Sequence, residues 1–184
     1  MGDAGDGAPV ATFDSGLDGF VLDNYHDFDQ TDLGDPSLSL PMPPTLTFDG
    51  AVGSPTTGSL AVTAPFSGAN QFVDIQKPLG ATNLQNWAGK KLHVRLRVDA
   101  GSTFSGIAQL YVDTTAGYLF GGTASNVAAG SDWQEIVLDV GNPMSFSPGY
   151  DPTEVILFGI QLNSGSAGVG ATAATFHLDT FTIE

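Results

Sequence analysis

Polar and apolar positions alternate with a period of two along most of this chain, and no helical period persists beyond a single turn. Residues 91–98 show the alternation most cleanly: Leu92, Val94, Leu96 and Val98 point one way, and Lys91, His93, Arg95 and Arg97 the other. Residues 107–113 set Ala108, Leu110 and Val112 against Gln109, Tyr111 and Asp113. Residues 154–163 set Ile156, Phe158, Ile160 and Leu162 against Val155, Leu157, Gly159, Gln161 and Asn163. In residues 71–76, Val73 and Ile75 oppose Phe72, Asp74 and Gln76. Shorter stretches at 10–13, 17–22, 45–48, 58–64, 117–120 and 132–140 also read as strands, and residues 82–89 suit one helical turn closed by Gly89, with Trp87 plugging the core. Roughly nine or ten short strands separated by turn residues predict an all-β fold, an antiparallel two-sheet β-sandwich.

The closing stretch, 172–184, changes parity. Phe176 and Leu178 share one face, after which Asp179-Thr180 shifts Phe181 and Ile183 to the opposite register. A one-residue shift of that kind predicts a β-bulge that keeps the same face pointing inward. Asp179 sits at the break, where a carboxylate either caps exposed backbone or holds a cation. Residues 23–44 are acidic, interrupted by proline and without periodicity, which predicts a long loop. Tyr25, His26 and Phe28 are expected to pin it to the sandwich. The glycine and alanine tracts at 116–130 and 164–174 read as rim loops.

Charge narrows the ligand classes. The net charge is -15, and Glu135, Glu154 and Glu184 are the only Glu among 20 acidic residues, so the acidity comes from Asp in turns. Phosphates would be repelled, which excludes nucleic acid and anionic membrane surfaces as partners. All five basic residues fall between Lys77 and Arg97, too local to line an anion groove. Cysteine is absent, which removes disulfides, thiolate metal sites and cysteine nucleophiles. No apolar run reaches membrane-spanning length. Residues 1–9 read as a linker remnant ahead of one domain over 10–184, and the expectation is a secreted piece of a longer precursor.

The outward faces differ in chemistry. His93, Arg95, Arg97 and Glu135 make a charged, solvated face. Phe72, Asp74, Gln76, Gln109, Tyr111, Gln161 and Asn163 combine rings with amides and carboxylates. Sugars call for that mixture: rings stack on C–H faces, while amides and carboxylates pair with hydroxyls.

The segments GSLAVTAPF, WAGKKLHVRLRVDAG, AQLYVDT, DWQEIVLDV, VILFGIQLNSG and TFHLDTFTIE resemble those of jelly-roll carbohydrate-binding modules of the galactose-binding-like β-sandwich class, which are appended to plant-polysaccharide hydrolases. The resemblance runs from Val10 to Glu184. It implies non-catalytic binding of a neutral polysaccharide of β-glucan, mannan or xylan type, and an attached or partner glycoside hydrolase. It implies that the last strand pairs with the GSL strand and the first strand, and that the strands of Asp74, Gln109 and Gln161 lie together as a concave face. The ligand set becomes Phe72, Asp74, Gln76, Gln109, Tyr111, Tyr118, Gln161 and Asn163. The family's exposed tryptophan platform is missing, since Trp87 and Trp133 fall at core positions; platform rings would be Tyr111, Tyr118, Phe72 or Tyr25. A structural Ca²⁺ commonly joins the termini in such modules. Asp14 and Asp179 match its side-chain ligands, with backbone carbonyls near Thr12 and Gly58.

Other classes remain to be weighed. A glycosidase needs two carboxylates facing each other across a sugar, a role Asp74 and Asp113 could share. His26, His93 and His177 are isolated, unlike zinc ligands, and neither a Gly-x-Ser-x-Gly elbow nor a phosphate loop occurs. A secreted adhesion or scaffold sandwich that binds protein is the other alternative to a sugar-binding, non-enzymatic module.

Overall fold

The computed structural model describes residues 8–27, 43–55, 57–115, 117–130, 132–166 and 174–184. These residues form no helix and twelve strands: β1 (Ala8–Ala11), β2 (Val21–Asp27), β3 (Thr45–Asp49), β4 (Ser59–Ala64), β5 (Gln71–Pro78), β6 (Lys91–Val98), β7 (Ser105–Thr114), β8 (Leu119–Ala128), β9 (Gln134–Asp139), β10 (Ser145–Phe146), β11 (Val155–Asn163) and β12 (Ala174–Ile183). One sheet runs β3-β4-β12-β6-β9, with β1 added to β12. The other runs β10-β8-β7-β11-β5-β2. Neighbouring strands are antiparallel throughout. The last strand does lie between the GSL strand and Lys91–Val98, with the first strand beside it.

The inward positions named by alternation fill the space between the sheets. Leu92, Val94, Leu110, Val112, Phe158, Ile160 and Leu162 are fully buried. Two aromatic clusters carry much of this core. Phe20 packs its ring 5.3 Å from Phe13, 4.9 Å from Phe181 and 5.5 Å from Phe158. Phe104 lies 4.8 Å from Phe176 and 5.7 Å from Phe66. Each such ring contributes about 1.5–3 kcal/mol by leaving water. The bulge in β12 is present: its register against β6 shifts between Asp179 and Thr182, and Thr180 takes a φ of 48°. Leu178 and Phe181 are consequently both buried in one core.

Several expectations need correction. Residues 17–20 are not strand: Phe20 N–H donates to the Leu17 carbonyl at 2.9 Å, closing a turn through Asp18 and Gly19, so only Val21 and Leu22 of the strand expected at 17–22 belong to one. From Val21 the strand β2 runs on into the stretch read as a long loop, because Tyr25 and His26 find buried places beside β5. Tyr25 belongs to the core, its hydroxyl donating to Pro65 O at 3.2 Å, so it is no platform ring. Phe28 and residues 29–42 lie outside the described residues.

The stretch 116–130 is not a rim loop but mostly β8, paired with β7 at every position from Leu119 to Ala128. Beyond the short strand read at 117–120, weak alternation hid it, since Gly121 and Gly122 occupy places where the rings of Tyr150 and of Phe120 on β8 itself lie. No helical turn forms at 82–89. Gln85 instead bridges Val155, which a register shift between Val155 and Leu157 turns into the core rather than outward as expected; Leu157, opposite Asp113, is buried as well. Trp87 does plug the core, its ring 5.6 Å from Phe158. Trp133 does not: it is half-buried outside the core, with the Arg97 guanidinium 5.5 Å from its ring.

Candidate functional site

The strands β5, β11 and β7 are adjacent, and their register stacks polar residues into rows. Gln161 on β11 stands between Asp74 on β5 and Gln109 on β7. One step along the face, Gly159 stands between Gln76 and Tyr111. Residues directly opposite each other share a face, so both rows project from the outer side of this sheet. They line a cleft of about 260 Å³ together with Asp23, Asp113, Tyr118 and Phe120.

The floor depends on two residues without side chains. A Cβ on Gly159 would collide with the Ile75 carbonyl oxygen and come within 2.9 Å of Tyr111 Cζ and Oη. A Cβ on Gly122 would come within 2.5 Å of Phe120 Cζ. Glycine at both places lets the two rings lie down along the sheet, 6.0 Å apart and 30° from parallel. Tyr118 adds an exposed ring at the rim, in a turn where it holds a left-handed φ of 52°. An exposed aromatic side chain kept in that sparsely populated region is a feature met at ligand sites.

The electrostatics are acidic. Asp23 is the extra residue of a bulge in β2, where the register against β5 shifts between Leu22 and Asn24. The bulge turns its carboxylate toward the cleft. The lining holds no Lys or Arg. Burial pushes the Asp113 carboxyl up to about 6, with the negative charges of Asp23 and Asp74 adding to the effect. Burial likewise raises the Asp74 carboxyl, opposed by a hydrogen bond from Gln161 and by His26. Burial, then the neighbouring Asp residues, lift the Tyr111 phenol well above its ordinary range.

Of the eight residues expected to bind ligand, Asp74, Gln76, Gln109, Tyr111, Tyr118 and Gln161 line this cleft. Phe72 does not; it stacks on His26 with ring centres 5.0 Å apart. Asn163 also stands outside the lining, its Oδ1 accepting Gly165 N–H at 2.7 Å. Asp23 and Phe120 were not legible as site residues. The pairing of β2 and β8 brings them to the cleft, and the strands expected at 17–22 and 117–120 caught only the first residues of each.

Around the expected cation site, Asp14 is exposed and accepts from Thr12 Oγ1 at 2.8 Å. Asp18 takes the nearby backbone instead, Oδ2 accepting Thr12 N–H at 2.8 Å and Phe13 N–H at 2.9 Å. Gly58 passes close beneath the Phe13 carbonyl oxygen. Asp179 is fully buried, accepting from Ser54 N–H through Oδ2 and from Thr180 Oγ1–H through Oδ1. As a buried hard-oxygen ligand Asp179 fits calcium, whereas no group of three or more His, Cys, Asp or Glu among the described residues is placed to hold a metal.

The sandwich also contains an unforeseen Ser–His–Asp array on the other sheet. His177 Nδ1 lies 3.0 Å from Ser59 Oγ, and Nε2 lies 3.3 Å from Asp99 Oδ1. Ser59 is wholly buried, so its hydroxyl has no access to a substrate carbonyl.

No protein-family model and no curated protein matches the sequence. Solved structures do match the fold. One, described as a structural basis for the promiscuous specificity of carbohydrate-binding modules from the β-sandwich superfamily, shares 16% identity at a TM-score of 0.63; 97% of this chain aligns to 62% of that one, less than two thirds of its length. The CBM22-1 xylan-binding domain of Paenibacillus barcinonensis Xyn10C shares 14% identity at a TM-score of 0.56, over 97% of this chain and 94% of that one. The family 11 carbohydrate-binding module of Clostridium thermocellum, in complex with a β-1,3-1,4-mixed-linked tetrasaccharide, shares 10% identity at a TM-score of 0.55, over 95% and 94%. The chain thus has the fold of the jelly-roll carbohydrate-binding modules.

Proposed function

We propose that this chain is a secreted, non-catalytic carbohydrate-binding module. It holds a neutral polysaccharide of β-glucan, mannan or xylan type across the outer face of the β10-β8-β7-β11-β5-β2 sheet and targets an attached or partner glycoside hydrolase. The observation that carries the reading is the lining of the cleft: two rings laid flat over glycines, a third at the rim, and amides and carboxylates spaced along neighbouring strands. Rings give a sugar C–H surface, and amides and carboxylates take its hydroxyls. The solved structures of the same fold include one described as xylan-binding and one holding a mixed-linked glucan tetrasaccharide, which supports the reading.

Hydrolysis is the weaker reading. Asp113, raised to about 6, has the character of a general acid. Asp74 is committed to His26 and Gln161 and is not a free partner carboxylate.

Affinity electrophoresis against xylan, mannan, mixed-linkage glucan, xyloglucan, galactan and pectin tests the proposal. Retardation by one neutral polymer is expected, with retardation lost in Gln161→Ala and Tyr118→Ala. Wild-type protein that no polymer retards would overturn it and favour an adhesion or scaffold sandwich; release of reducing sugar would favour the hydrolase. Structural calcium at the termini is a separate proposal, supported by the wholly buried Asp179 carboxylate beside the bulge. Elemental analysis for bound metal, with a melt in chelator, decides between calcium and a carboxylate held by protein donors such as Ser54 N–H and Thr180 Oγ1–H.

A further inference from the structure

We infer that His26 is a positioning residue of the cleft: acting through Asp74, it fixes which end of the Gln161 side-chain amide faces the ligand. The orientation matters for ligand binding only if the cleft is the binding face proposed above; the relay itself can be read without ligand.

His26 is buried on β2, the end strand of its sheet, with its ring flat against Phe72 at an interplanar angle of 13°. Nδ1 lies 2.9 Å from the Asp27 carbonyl oxygen. A carbonyl oxygen only accepts, so Nδ1 carries the proton and the tautomer is set. Nε2 then faces Asp74 Oδ2 at 3.2 Å. A nitrogen and an oxygen at that distance share one proton, as imidazolium with carboxylate or as imidazole with carboxylic acid. In both forms the proton sits between Nε2 and Oδ2.

The other carboxyl oxygen is therefore an acceptor whichever form holds. Oδ1 accepts from Gln161 Nε2 at 2.8 Å. With its nitrogen held by Asp74, the amide turns its carbonyl oxygen away from Asp74 within the cleft that Gln161 lines. The group it meets must donate, as a hydroxyl or N–H does.

Without the imidazole this polarity is no longer set. Burial already raises the Asp74 carboxyl, and His26 is one of the influences holding it down. A protonated Asp74 lacking His26 can place its proton on Oδ1, and the Gln161 amide then does best reversed, carbonyl toward Asp74. Asp23 from β2 and Asp113 and Tyr111 from β7 face the same space; none of the three is a cation or an imidazole, so none takes the place of His26.

Two NMR readouts on the free protein test the relay. In wild type, long-range ¹H–¹⁵N spectra between pH 5 and 8 should show His26 Nδ1 protonated throughout; a bare Nδ1 overturns the proposal without any variant. His26→Phe keeps the stack on Phe72 and removes the proton. The Gln161 side-chain NH₂ signals should lose their protection from water exchange in His26→Phe and regain it in His26→Gln, whose amide can donate to Oδ2. Unchanged Gln161 signals in a folded His26→Phe protein would refute it. With a polymer that retards wild type, His26→Phe should weaken binding about tenfold, the worth of one well-placed hydrogen bond, and His26→Gln should recover most of that loss. If no polymer binds wild type, the functional reading fails, while the amide signals still decide the relay.

Discussion

Replacing Gly159 with alanine probes how the cleft floor is built. The new Cβ would meet the Ile75 carbonyl oxygen, which belongs to the backbone of β5 and cannot swing aside. It would also sit 2.9 Å from Tyr111 Cζ and Oη, where ordinary contact begins at 3.4 Å, leaving the ring roughly half an ångström too close. Either β5 and β11 separate locally or Tyr111 lifts off the sheet. Overpacking of this kind costs about 1–3 kcal/mol. In a domain of this size that lowers the melting temperature by about 2–12 °C.

A thermal melt followed by circular dichroism measures the loss, with Gly101→Ala as control. A Cβ on Gly101 meets nothing within 4 Å, so its melt should match wild type or rise slightly. A spectroscopic titration of tyrosine adds a local readout. Burial is the main cause holding the Tyr111 phenol up, so a lifted ring should ionise at lower pH than in wild type. If Gly159→Ala melts with Gly101→Ala and leaves the tyrosine titration unchanged, the floor does not rest on that glycine and the cleft geometry is wrong.

Asp113→Asn should change how stability varies with pH. The carboxyl is raised by burial from an ordinary 3.8 to about 6, so its stabilising contribution is complete below 3.8 and lost as pH rises through about 6. The variant, which stays neutral, should therefore melt higher than wild type at pH 7, with the gap closing toward pH 4; parallel curves would contradict the assignment. Asp18→Ala removes the acceptor for Thr12 and Phe13 N–H and should cost about 1.5–3 kcal/mol in urea unfolding, while Asp18→Asn, which keeps an acceptor and tolerates the φ of 49°, should recover much of it.

Alternation made the sandwich legible wherever one face is apolar and the other polar. Residues 91–98 form the expected strand, and β5, β7 and β11 come together with Asp74, Gln109 and Gln161 in one row. The β12 bulge was readable because parity changes at Asp179. The signal failed where rings cover glycines. β8 buries Gly121 and Gly122 beneath the rings of Tyr150 and Phe120, and glycine has no hydropathy pattern to read. β2 failed for a related reason: its bulge breaks the period at Asp23, and the residues that anchor it, Tyr25 and His26, follow the break. Part of the cleft therefore stayed out of view: Asp23 and the His26 relay lie on the part of β2 read as loop, and the extent of the strand that carries Phe120 was missed.

The Asp23 bulge has a second consequence, for how separate molecules meet. Among the described residues β2 is the last strand of its sheet, and the outward edge of a terminal strand offers backbone N–H and C=O groups to any extended chain. A flat edge of that kind invites edge-to-edge polymerisation. The extra residue throws the spacing of the donors and acceptors out of step, and the carboxylate it carries repels an identical edge arriving from another copy. One inserted aspartate thus brings charge to the cleft and discourages the sheet from continuing into a neighbour.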